Sequence, residues 1–209
     1  MDGTMIDNMM AHHHAWQQKL AELGMEMSIE EIHQKVHGIN VEILKQLFGN
    51  RFTPDDRQRI SDEKEAEYRR IFEPDLALLN GLPELLHELK GKNIPMGVGS
   101  AAPSTNVDFV MNKLNLWHYF DAVMHSEHVE NGKPHPEIYL KVSEALGLKP
   151  KDCLVFEDTP TGVQSALSAG SKVIVVTTTH QKAEFPEHDN LLKFISDFTK
   201  ISLSELLTY

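Results

Sequence analysis

Cysteine is almost absent from this chain. A single residue, Cys153, among 209 rules out an internal disulfide, so the fold cannot rely on the cross-links that hold small secreted domains together. Its neighbours Leu154, Val155 and Phe156 read as a buried strand and not as the electropositive setting of a reactive thiol. No apolar run approaches the ~18 residues that a membrane span requires. The start, Met1-Asp2-Gly3-Thr4, has no basic segment followed by an apolar stretch. Export and membrane insertion are therefore not expected, and a reducing, cytoplasmic location is. Positive charge is also scarce: 20 Lys and Arg against 31 Asp and Glu leave a formal charge of −11. Nucleic-acid backbones and anionic lipids are held by clustered Lys and Arg, so neither is an expected partner. A small phosphorylated metabolite is still compatible, because a few local cations and a bound metal can hold it on an acidic protein.

The remaining composition, 41% apolar and 24% charged, is that of a globular protein with a sizeable core. The length suits one α/β core with a smaller inserted domain. From Asn8 to Phe72 the pattern is helical: Met9, Trp16, Leu20 and Leu23, then Ile29, Ile32 and Val36, then Val41, Leu44 and Leu47 recur at helical spacing. Breaks fall at Gly24, Gly38 and Gly49-Asn50, and Thr53 followed by Pro54 is an N-cap with proline at the first helical position. From Gly81 onward the pattern alternates. Helices are expected at 82–90, 105–114, 137–146 and 162–169, and apolar strands at 95–100, 122–125, 153–157 and 172–176, with a closing helix at 202–207 capped by Ser202. Such a βα series implies a parallel sheet covered on both faces.

Ligands of open parallel sheets bind outside the carboxyl ends of the strands. Polar residues where apolar runs stop are therefore the informative ones: Asp2-Gly3-Thr4, Ser100, Lys133 within Gly132-Lys133-Pro134-His135-Pro136, and Glu157-Asp158. In this order they resemble the four motifs of the haloacid dehalogenase superfamily. The helical segment after the first motif resembles the cap of its β-phosphoglucomutase-like branch. Asp7, the stretch His12-His13-His14-Ala15-Trp16, the stretch Lys64 to Arg69, and Gly162 after Phe156-Glu157-Asp158 extend the resemblance over nearly the whole chain.

The resemblance implies a Rossmann-like α/β core formed by residues 1–7 and 76–209, with an inserted all-helical cap at 8–75. It also implies a magnesium-dependent phosphatase acting on a small phosphomonoester, a sugar phosphate for preference, through an aspartyl-phosphate. In the family's first motif, Asp-x-Asp-Gly-Thr, Met1 stands at the x. The nucleophilic aspartate and the strand that carries it are thus expected upstream of Met1. Asp2 then matches the second aspartate, a general acid and base. Ser100 would donate a hydrogen bond to a phosphoryl oxygen, with Ala101 beside it. As a simple helix cap Ser104 is better placed than Ser100. Lys133 would neutralise charge on the phosphoryl group. Glu157 and Asp158, like charges side by side, call for a cation, and Mg²⁺ with oxygen ligands suits them. The backbone carbonyl of Asp2 would complete the set.

In the cap, His12, Gly38, Asn40 and Lys64 match substrate-facing positions, although His12 and Lys64 could equally be solvated helix residues. A sugar-phosphate mutase would carry an arginine three residues after Gly38, and Val41 stands there instead, which favours hydrolysis. Two alternatives remain: a β-phosphoglucomutase-like mutase, and a non-catalytic protein that only binds a phosphorylated ligand. The expected assembly is a monomer or a weak homodimer.

Overall fold

The computed structural model describes every residue except His37. The chain divides into two compact units, one of Met1–Asp7 with Ala77–Tyr209 and one of Asn8–Leu76.

The second unit is all helical among the described residues: α1 (Met9–Glu22), α2 (Ile29–Lys35), α3 (Asn40–Phe48) and α4 (Pro54–Phe72). The helix starts follow from local chemistry. Ser28 and Glu31 form a reciprocal capping box at α2, and Thr53 and Asp56 form another at α4, where Pro54 occupies the first turn. The apolar stripes meet in one cluster of Trp16, Leu20, Ile32, Val36, Ile43, Leu44 and Ile60. Gly38 sits at a φ of +103° just before α3, a backbone conformation that a side chain would resist.

The first unit is α/β. Its elements run α5 (Leu82–Gly91), β1 (Gly97–Gly99), α6 (Ser104–Lys113), β2 (Ala122–Met124), α7 (Glu137–Ala145), β3 (Leu154–Glu157), α8 (Pro160–Ala169), β4 (Lys172–Val176), β5 (Leu191–Ile195) and α9 (Leu203–Leu206). All strand pairs are parallel, as the alternation of strand and helix requires. Pairing among the described residues makes two sheets, β1-β2 and β3-β4-β5, and not one. The consequence shows in burial: Val173 to Val176 of β4 are buried, while Leu154, Val155 and Phe156 of β3 are only half-buried. Strand β5, Leu191-Leu192-Lys193-Phe194-Ile195, was not expected. Lys193 interrupts its apolar pattern, and the strand pairs on one side only, with β4, so it needs less apolar surface than a central strand. The core beneath the second sheet gathers Ile138, Tyr139, Val163, Ala166, Leu167, Val173, Val175 and Phe185.

Candidate active site

Strand β3 ends in Glu157-Asp158, and α8 begins two residues later, at Pro160. Both carboxylates are buried, at 4% and 5% exposure. Burial alone would push both pKa values up. Glu157 escapes this because Lys133 and Tyr139 hold it. The Lys133 ammonium forms an ion pair with Glu157 Oε1, and the Tyr139 hydroxyl donates to the same oxygen. Glu157 Oε2 accepts the Asp158 N–H at 3.1 Å. Burial raises the Glu157 carboxyl, but the ammonium and the hydrogen bonds outweigh it and leave the group below its ordinary range.

Gly162, on the first turn of α8, makes room for this arrangement. A Cβ there would lie 2.1 Å from Glu157 Oε2, so any other residue would displace the carboxylate. In this geometry the cation that compensates Glu157 is Lys133.

Asp158 is held differently. Thr4 Oγ1 donates to its Oδ1 at 2.8 Å, and Thr179 Oγ1, just beyond β4, lies 2.9 Å from its Oδ2 and 2.8 Å from its backbone oxygen. These hydroxyls carry no charge. Burial first, and then the neighbouring Glu157 carboxylate, lift the Asp158 carboxyl above its usual range. The Asp2-Gly3-Thr4 segment packs directly on it: Gly3 has a φ of +64°, and a Cβ there would lie 2.1 Å from Asp158 Oδ2. The Gly3 carbonyl accepts a hydrogen bond from Thr178 Oγ1. Asp2 itself is half-buried and bridges to Ile6.

Lys133 links the two sheets. Its Nζ donates to the carbonyl of Gly99, the last residue of β1, at 3.2 Å, and to Tyr139 Oη at 3.0 Å, in addition to Glu157 at the end of β3. The ammonium also lies 4.9 Å from the centre of the Tyr139 ring. Burial, followed by the Glu157 carboxylate, holds the Tyr139 phenol well above its ordinary pKa, so it remains a donor.

Ser100 follows β1 and is 3% exposed. Its N–H donates to Met124 O, and its Oγ accepts the Ala102 N–H at 3.1 Å. Ala101 is exposed. Ser104 does not cap α6. Pro103 stands at the cap, and Ser104 turns its backbone N–H and hydroxyl to Glu127 instead.

The remaining residues of interest lie in the helical unit. Lys64 is 2% exposed, which overturns the picture of a solvated helix lysine. Its Nζ lies 2.8 Å from His12 Nδ1 and 2.9 Å from Glu65 Oε1, above the ring of Trp16. His12 stacks on Tyr68 with ring centroids 3.7 Å apart, and Tyr68 accepts from Asn8 Nδ2 at 2.7 Å. Asn40 Nδ2 donates to Glu65 Oε1 at 2.7 Å and to Ser61 Oγ at 3.0 Å. Gly38 is exposed.

Two buried acidic groups at a strand end, one neutralised by a lysine from a separate loop and the other clamped by hydroxyls under a Gly-Thr turn, form an arrangement suited to binding a phosphoryl group beside a cation. The family model for haloacid dehalogenase-like hydrolases matches residues 1–176. The chain belongs to this family. Among similar proteins, fructose-1-phosphate phosphatase YqaB of Escherichia coli is 29% identical over 84% of this chain and 93% of its own length. The β-phosphoglucomutase of Bacillus subtilis is 25% identical over 81% of this chain and 77% of its own. A crystal structure of a family IA, variant 3 hydrolase of this family from Entamoeba histolytica superposes with a TM-score of 0.90 at 28% identity, covering 100% of this chain and 95% of that one.

Membership in this hydrolase family sets a test for magnesium. Among the described residues no three His, Cys, Asp or Glu side chains come together as a metal cluster. Mg²⁺, however, commonly takes only one or two carboxylates and completes its shell with water and substrate phosphate. Asp158, a buried carboxylate whose clamp is neutral, and the nearby Asp2 backbone carbonyl are oxygen donors of that kind. The donor set fits in chemistry.

Sequence reasoning missed Tyr139 and Thr179. Thr179 lies in a Thr177-Thr178-Thr179 run directly after an apolar strand, a position of the same type as those that were singled out. Tyr139 had no such signal, because it lies inside a helix at a position that reads as core.

Proposed function

We propose that this protein is a phosphatase that hydrolyses a small phosphomonoester, with a sugar phosphate as the substrate class and Mg²⁺ as the cofactor, in the cytoplasm. The observation that carries the reading is the seat of Lys133, which spans the ends of β1 and β3 one residue from the Asp158 carboxylate. A fixed ammonium beside an oxygen-only cation site is what phosphoryl transfer requires, since catalysis there rests on positioning and charge stabilisation.

In this reading Lys133 balances charge on the phosphoryl oxygens, and Ser100 orients one of them with its hydroxyl proton. Asp158 and the Asp2 carbonyl would hold Mg²⁺, which would supply further positive charge to the phosphoryl group. The Asp2 carboxyl protonates the leaving oxygen and then takes a proton from the incoming water. The family resemblance supports passage of the phosphoryl group through an aspartyl-phosphate that water then hydrolyses. His12, Gly38, Asn40 and Lys64 are assigned to substrate selection. The names of similar proteins, a fructose-1-phosphate phosphatase among them, support a sugar phosphate, and Val41 supports hydrolysis over mutase chemistry, since it offers no charged grip for a second phosphate.

The test is phosphate release across a panel of sugar phosphates, with Mg²⁺ and with chelator, in the absence of any bisphosphate. Release that disappears with chelator is expected. Product formation only in the presence of a sugar bisphosphate, without net phosphate release, would establish a mutase instead.

A further inference from the structure

Tyr139 touches both members of the Lys133–Glu157 pair and carries no charge itself. Its hydroxyl lies 3.0 Å from Lys133 Nζ and donates to Glu157 Oε1, so the three groups close a triangle. Its ring passes 4.9 Å from the same ammonium. An ammonium has three N–H donors, and Lys133 faces three acceptors: Gly99 O, Tyr139 Oη and Glu157 Oε1. Its direction is therefore fixed by the protein. From this seat it acts on a bound phosphate as a fixed point charge and not as a swivelling donor. Lysine needs such fixing, because its compact charge rides on a flexible stem with large rotamer entropy.

We propose that Tyr139 is a positioning residue that holds Lys133 in its phosphate-binding orientation, with Gly162 as the second half of the same device. Tyr139 supplies the third acceptor for the ammonium. Gly162 leaves the space in which the Glu157 carboxylate must lie to meet it, since a Cβ at that position would sit 2.1 to 2.4 Å from the carboxylate atoms. α7 and α8 thus brace the lysine from two sides: α7 carries the hydroxyl, and the first turn of α8 carries the gap. The proposal rests on the assignment of Lys133 to the phosphate.

The experiment measures binding of inorganic phosphate in the presence of Mg²⁺, by calorimetry, in four proteins: the wild type, Tyr139→Phe, Lys133→Met and the double variant. Tyr139→Phe keeps the ring and removes only the hydroxyl. Hydrogen bonds to charged groups are worth enough that its loss is expected to weaken phosphate roughly tenfold in the wild-type background. In the Lys133→Met background the same change is expected to cost less than about twofold, because coupled residues are non-additive. Gly162→Ala, which acts through Glu157, is expected to weaken phosphate in the same Lys133-dependent way and serves in place of Tyr139→Phe if that variant does not fold. Equal weakening in both backgrounds, or none in the wild type, overturns the proposal while the phosphatase reading stands. Undiminished phosphate binding by Lys133→Met, or none by the wild type, overturns the role of Lys133 and this proposal with it.

Discussion

In the helical unit Lys64 and Glu65 are neighbours in the chain and meet at 2.9 Å. In the α/β unit Lys133 and Glu157 stand 24 residues apart and meet only because a loop and a strand end converge. Both pairs are shielded from water: side-chain exposure is 2% and 10% in the first, 13% and 5% in the second. Their surroundings differ. Lys64 lies over Trp16 and Tyr68 and beside His12, all presented by α1 and α4. Lys133 has a backbone carbonyl, a phenol and a carboxylate from three separate elements. The first pair is a product of packing two helices. The second exists only when the sheets, α7 and the loop before it are all in place, so it reports on the α/β unit as a whole and on chemistry at its strand ends.

The sharpest separation of chemistry from architecture comes at Asp2. Asp2→Asn retains the backbone carbonyl and nearly the same shape, and it leaves the Lys133–Glu157 pair intact. Turnover of a sugar phosphate is expected to fall by about 10²–10⁴-fold, the range for a positioned acid-base group, with little change in thermal midpoint. Near-normal turnover would remove Asp2 from the mechanism.

Removing the lysines compares the two pairs directly. Lys133→Met leaves the buried Glu157 carboxylate without its cation, and breaking a buried pair in this way costs roughly 3–5 kcal/mol. Lys64→Met is expected to cost less, since the Glu65 side chain is 10% exposed against 5% for Glu157 and is more readily rehydrated. Urea unfolding of both variants measures the difference. A larger loss at Lys64 would mean that the helical pair, and not the distant one, is the more strongly coupled to its surroundings.

The same contrast explains how much of the molecule was legible in its sequence. The helices of the second unit were readable because apolar spacing, glycine breaks and the Thr53 cap are local signals. The strand ends carrying Ser100 and Glu157-Asp158 were readable because short apolar runs stop at polar residues, which motif order then joined. Strand β5 was missed because Lys193 breaks its apolar run and no motif follows it. The helix that carries Lys64 was legible but the burial of that lysine was not, since a helix dense in Glu and Arg reads as solvated until α1 packs on it. The adjacent carboxylates Glu157 and Asp158 announced the need for a cation, but the contacts of Lys133 and Tyr139 with Glu157 were not legible, because those residues converge only in the folded chain.

A smaller effect is expected where the helical network reaches its own loop. Asn40, the first residue of α3, ties that helix to α4 through Ser61 and Glu65. Asn40→Ala removes both bonds and leaves Glu65 with one donor fewer, at a cost of roughly 1–3 kcal/mol. The urea midpoint should fall accordingly. Backbone amides at the start of α3 should lose protection from hydrogen exchange while those of β4 keep theirs. Loss of protection spread evenly over both units would show that Asn40 supports more than its own helix pair.

The smallest expected effect concerns acid, and it again sets the units side by side. Each uses a glutamate to tie down backbone N–H groups. Glu137, the first residue of α7, accepts from the N–H groups of Glu130 and Asn131 at 3.0 and 2.9 Å and pairs with Lys141 at 2.8 Å. It thereby clasps the loop that leads to Lys133. The Lys141 bond first, and then the two backbone N–H groups, bring its carboxyl from an ordinary 4.5 down to about 2. Glu31 in the α2 capping box is lowered as well, chiefly by the Ser28 N–H and then by Lys35. A carboxyl whose folded pKa is depressed stabilises the fold fully above its unfolded pKa, and that contribution disappears as pH falls through the folded value. The Glu137 clasp is therefore complete above about pH 4.5 and should be lost progressively toward pH 2. Both groups are partly open to solvent, with side-chain exposures of 16% for Glu137 and 47% for Glu31, so screening keeps the change in global stability small and local protection is the better measure. Exchange protection at the Glu130 and Asn131 amides should decline across this window and should lose that acid dependence in Glu137→Gln. Protection at Ser28 should decline below pH 4.5 independently of that substitution. If Glu137→Gln left the acid profile of the Glu130 and Asn131 amides unchanged, the loop would be held by something other than this carboxylate.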